Sequence, residues 1–162
     1  MFRWYVVLLV FAVAVIAFRC SDNPANAAVV ASEQWRISDS DPQNYADITL
    51  SKLDNGSVSA SGKWLYEFFG NQITCTFMSG IAAIVDTSVA ISASGTASYP
   101  PDSSGQAETS AFTLQMDGKF KAGTAKGTWE IHFADTLWEG WIDPGTFTGT
   151  LQSGSGVTAA GG

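Results

Sequence analysis

The stretch GTWEIHFADTLWEGW, Gly127 to Trp141, holds the single histidine of the chain and three of its six tryptophans. Its first half alternates. Trp129, Ile131 and Phe133 fall on one side of an extended chain, and Glu130 and His132 on the other, because successive side chains of a strand point to opposite faces. An apolar face of period two predicts a half-buried strand. The second half does not alternate. DTLWEGWIDPG sets Trp138 and Trp141 among turn-forming residues, with Asp135, Glu139 and Asp143 beside them.

The same period extends in both directions. EQWRIS offers a short strand with Trp35 and Ile37 on one side. In Tyr45–Leu53, Ile48 and Leu50 oppose Asp47, Thr49 and Ser51, and Asp54-Asn55-Gly56 closes the segment with residues that tolerate positive φ. Ser57–Phe69 alternates Trp64, Tyr66 and Phe68 with Leu65, Glu67 and Phe69, with an interruption at Gly62. Ile73–Met78 reads as a strand, Ser79–Gly80 as a turn, and Ile81–Val85 and Ser88–Ala93 as further strands. Alanines between Gly80 and Ala90 permit a helix, but the valines and isoleucines among them favour strand. Ser94–Glu108 is the longest loop, rich in Pro, Gly and Ser. Phe112–Asp117 and Gly145–Leu151 alternate, and a flexible tail is expected from about residue 153, apart from Val157.

No segment sustains a helical period. About eight short strands at roughly ten-residue spacing predict an all-β domain, either one antiparallel β-barrel (calycin-like) or a two-sheet β-sandwich. The barrel is favoured because closure removes exposed sheet edges. The tripeptides GTW at Gly127 and GTF at Gly145 recur. GTWEIHF and GTFTGTL resemble segments of avidin-like and other calycin barrels, in which such patterns begin or cross strands. That resemblance implies a barrel and assigns no site residue.

The N-terminus carries Arg3, then an apolar run from Trp4 to Phe18, then a polar segment ending in Ala25-Asn26-Ala27. This is the three-part pattern of a secretory signal helix, residues 1–27, with cleavage expected after Ala27. The run is shorter than the roughly 20 residues of a membrane span. Retention as an anchor and lipidation at Cys20 are the competing readings, the latter opposed by Phe18 and Arg19 directly before it. The expected mature protein, 28–162, is a single secreted or periplasmic domain with Cys75 as its one cysteine. Ile73, Cys75 and Phe77 share a face, which predicts a buried, inert thiol.

The formal charge of the chain is −7, and its eight lysines and arginines are scattered. Nucleic-acid binding needs clustered basic residues, so no nucleic-acid partner is expected. One histidine and one mature cysteine make no zinc set. Calcium-loop, phosphate-loop and nucleophile-elbow patterns are absent from the sequence. Neither a metal nor a cofactor is expected. Enzyme chemistry is held by weak candidates only. Glu130 and His132 form a neighbouring acid–base pair on the polar face of their strand, and Glu67 and Glu130 are the carboxylates that a small glycoside hydrolase would need across a cleft.

Tryptophans in a connection can stack on sugars or seat an apolar ligand at a barrel mouth. Trp138 and Trp141 are therefore the candidate ligand-binding residues, joined by Tyr99 if its loop lies at the same end. The expected role is an exported binding or interaction module for a glycan or small apolar molecule. The alternatives are a structural envelope or extracellular component that pairs through strand edges, and the small hydrolase. The sequence specifies neither the oligomeric state nor a membrane partner, unless the signal segment is retained.

Overall fold

The computed structural model describes residues 27–158, apart from 40, 42, 69, 102–104 and 135–141. Residues 1–26 of the expected signal segment lie outside the described residues. Eight strands close into an up-and-down antiparallel barrel, each pairing with its neighbours in the chain and β1 with β8. They are β1 (Val29–Ser38), β2 (Tyr45–Leu53), β3 (Val58–Phe68), β4 (Asn71–Val85), β5 (Ser88–Ser98), β6 (Thr109–Lys121), β7 (Thr124–Phe133) and β8 (Ile142–Ser155).

Alternation sets the inside. Trp35 and Ile37 of β1, Ile48 and Leu50 of β2, Trp64 of β3 and Phe77 of β4 are buried, as are Ile91, Leu114, Ile131 and Phe147 of the later strands. Four inward glycines lie opposite an aromatic residue in register: Gly62 opposite Phe77, Gly95 opposite Phe112, Gly127 opposite Phe147 and Gly145 opposite Trp129. In each pair the ring takes the space of the missing side chain. A Cβ at 62 or 127 would meet the partner ring at 2.8 Å. Rings laid over strand glycines let a small barrel curve while its interior stays filled. The two Gly-Thr-aromatic tripeptides are thus one reciprocal unit, Gly127–Trp129 running antiparallel to Gly145–Phe147.

The connections after β2, β4 and β6 are tight. The Asp54–Ser57 turn has Gly56 at φ 84°, and the Asn55 carboxamide oxygen accepts from the Ser57 amide at 3.0 Å. Asp86 and Thr87 link β4 to β5, with Asp86 at φ 54°. Ala122 and Gly123, at φ 51° and 76°, form the two-residue turn between β6 and β7. Positive φ at both central residues matches the twist of a hairpin.

Three sequence boundaries move. Ser79–Gly80 is not a turn, because β4 runs unbroken through it. Met78 and Ser79 are consecutive and both exposed, so the inward set passes from Ile73, Cys75 and Phe77 to Gly80 and Ala82. That is a β-bulge, which switches parity without ending a strand. The loop expected over Ser94–Glu108 begins only at Tyr99, because β5 runs on to Ser98; Gly118–Gly127 closes β6 onto β7 as a hairpin, with Phe120 and Ala125 inward on its two arms. The tail expected to be flexible from about residue 153 begins as strand: β8 continues to Ser155, and Val157 and Thr158 are buried. Gly154 and Gly156, at φ 89° and 86°, bend the chain over that end of the barrel.

Candidate functional site

An up-and-down barrel sends alternate connections to opposite ends. One end receives the chain after β2, β4 and β6, together with the start of β1 and the end of β8. The other receives the connections after β1, β3, β5 and β7, which include the three longest. The strand ends flanking Tyr99 and those flanking residues 135–141 therefore lie at the same end. Tyr99 is half-buried against the core, and its amide donates to the Glu108 carbonyl at 3.0 Å. Trp138 and Trp141 lie outside the described residues.

Two indoles meet in the interior, on the half of β3 and β7 nearer that end. Trp64 comes from β3 and Trp129 from β7, strands with three others between them in either direction around the barrel. Their ring centroids are 4.7 Å apart at 64°, an edge-to-face contact. Tyr66 adds a second edge contact to Trp129 at 6.3 Å. Ile73 and Phe133 are buried farther toward the same end. The Nε1–H groups of Trp64 and Trp129 are buried and have no hydrogen-bond acceptor. An unmet buried donor costs about 1–3 kcal/mol.

Trp35 shows the contrasting case toward the other end. Its Nε1–H donates to Glu33 at 3.1 Å. The Glu33 carboxylate, 1% exposed, also accepts from the Val157 amide at 3.0 Å, the Thr158 amide at 3.1 Å and the Thr158 hydroxyl at 2.6 Å. Burial pushes its pKa up, but these hydrogen bonds to the ionised form outweigh burial and hold it below the usual value. This network ties the chain terminus to β1. Glu33 shares parity with Trp35 and Ile37, so an acid on an apolar face was the signal available in the sequence.

The weak catalytic candidates sit on the outer wall. Glu130 Oε1 and His132 Nε2 are in hydrogen-bond contact, with side chains 46% and 39% exposed. The hollow beside His132, about 430 Å³, is lined by wall residues including Thr96 and Thr113. Among the described residues no third polar group is seen to hold the imidazole, as general acid–base catalysis would require. Glu67 has the outward parity of Lys63 and Leu65, and its amide donates to Asn44 Oδ1 at 2.7 Å. Glu67 on β3 and Glu130 on β7 thus occupy opposite walls, with the Trp64–Trp129 contact between them. The structure does not bring the two carboxylates across a common cleft.

Cys75 is fully buried opposite Trp64, and burial pushes its thiol up to about 12. Among the described residues no three His, Cys, Asp or Glu side chains gather as metal ligands. A dish of about 960 Å³ lies against the outer wall of β4 to β8, bordered by Asp117, Lys119 and Lys126. Comparison with protein-family models, curated proteins and solved structures returns no match.

Proposed function

We propose that this chain is an exported binding module that holds a glycan or small apolar molecule at the long-connection end of its barrel. The observation that supports this reading is the shared location: the strand ends flanking Tyr99, the strand ends flanking residues 135–141, and the Trp64–Trp129 contact all belong to that half of the barrel. Aromatic surface with few polar groups suits an uncharged ligand. The test is native mass spectrometry of the protein secreted by its own host, followed by fluorescence titration with the adduct recovered. The expected result is a mass beginning at Ala28 with a non-covalent adduct, whose binding is lost in the Trp138→Ala, Trp141→Ala double variant. Undiminished binding in that variant excludes the rim.

A second reading is an assembly component. Met78, Ile81 and Val85 on the outer side of β4 are 79%, 72% and 70% exposed, and a concentration of large exposed apolar side chains on one strand suits an interface. Association would then use the barrel wall, because β1 pairs with β8 and leaves no free edge among the eight strands. Concentration-dependent oligomers in sedimentation, dispersed by Ile81→Lys, would favour it over the binding module.

A further inference from the structure

The geometry points to the Trp64 and Trp129 indole N–H groups as hydrogen-bond donors at the floor of a ligand site, for a compact neutral molecule that presents a carbonyl or ether oxygen on an apolar body. This rests on the binding reading above and specifies its ligand chemistry. Two independent donors on touching rings lack an acceptor, although their residues are only 2% and 5% exposed. Native interiors leave few such groups unmet. The third interior tryptophan, Trp35, does meet an acceptor, so the omission is specific to the half of the barrel with the long connections.

The surroundings select the ligand's charge. Among the described residues the one buried charged side chain is Glu33, toward the opposite end, where four donors already occupy it. Among the described residues no buried lysine, arginine or histidine is present to balance an anion, and no free buried carboxylate to balance a cation. A charge moved into this interior would lose its hydration without a partner. A neutral acceptor satisfies the donors and leaves the apolar walls of Tyr66, Ile73 and Phe133 in contact with its body. Removing an acceptor from a site built to donate is strongly discriminated against, so the pair selects for a ligand bearing such an oxygen over the matching hydrocarbon.

The test uses the secreted protein with its tryptophans ¹⁵N-labelled, the indole resonances being assigned with Trp64→Phe and Trp129→Phe. The probes are ε-caprolactam, which carries one carbonyl acceptor, and methylcyclohexane, a ring of similar size with none. We expect saturable downfield shifts of both indole protons with the lactam and none with the hydrocarbon, and about tenfold weaker lactam binding in the double Phe variant. The inference is overturned if neither proton moves, if both probes move them equally, or if both protons contact a bound water that the lactam does not displace. The two proposals separate in the Trp138→Ala, Trp141→Ala variant. Indole shifts that persist there uphold the donor floor and remove the rim. A glycan or apolar ligand that perturbs Trp138 and Trp141 but leaves the two indole protons still, with the lactam also silent, upholds the rim and removes the floor.

Discussion

The indole of Trp129 lies over the α-carbon of Gly145, its register partner on β8, so closely that a Cβ there would fall 2.6 Å from Nε1. Two residues along, Phe147 covers Gly127 in the reverse sense. Gly145→Ala and Gly127→Ala should each destabilise the barrel by about 1–3 kcal/mol, because the covering ring must move to admit one methyl group, and at Gly127 the β6 backbone as well. Gly56 has nothing within 4 Å of an added Cβ. Gly56→Ala should therefore cost only its backbone strain at positive φ, about 1 kcal/mol. Urea unfolding of the three variants measures the order.

Glu33 makes stability depend on acid. Burial opposes its ionisation, the bonds from Thr158, Val157 and Trp35 favour it more strongly, and the net pKa is lowered. Its contribution is therefore present above the ordinary glutamate range and lost as pH falls through the lowered folded-state value. Glu33→Gln should cost about 1.5–3 kcal/mol at neutral pH, the range for hydrogen bonds to a charged group. It should also flatten the acid limb of a melting-temperature profile. An unchanged acid limb would mean that other carboxylates govern acid unfolding.

The interior tryptophans should respond unequally to phenylalanine. Trp35→Phe removes a donor from a buried carboxylate, whereas Trp64→Phe and Trp129→Phe remove donors that have no acceptor. All three leave comparable voids, so the difference reports the hydrogen bond. Ligand-free Trp35→Phe should be less stable than either of the others by about 1–3 kcal/mol, measured by thermal unfolding.

Cys75 should be silent to thiol reagents at pH 8 in the folded protein. With its pKa near 12 and its sulfur buried, it supplies almost no accessible thiolate. Labelling with an aromatic disulfide should appear only with unfolding, at the unfolding rate. Fast labelling of folded protein would show that the strands around β4 open locally.

The candidate site was only partly legible. Trp138, Trp141 and Tyr99 are candidates in the sequence because aromatics among turn residues stand out locally, and Trp138 and Trp141 lie outside the described residues. Nothing near Trp64 or Trp129 in the chain tells whether an indole finds an acceptor. The role of Glu33 is hidden in the sequence because its partners Val157 and Thr158 lie at the other end of the chain. Glu67 and Glu130 looked alike as mid-strand acids among aromatics, and placement on opposing walls divides them.

By itself the sequence determined the all-β character, the outward polarity of Glu130 and His132, and the Asn55-Gly56 turn. Each follows from local physics: the two-residue alternation of a strand and the φ that a residue tolerates. The tertiary structure alone decided that β1 closes on β8, that the long connections share an end, that a bulge at Met78–Ser79 carries parity across β4, and that Trp64 meets Trp129. Those outcomes depend on strand register and closure. Both are set by packing between residues far apart in the chain, which the alternation within any one strand does not encode.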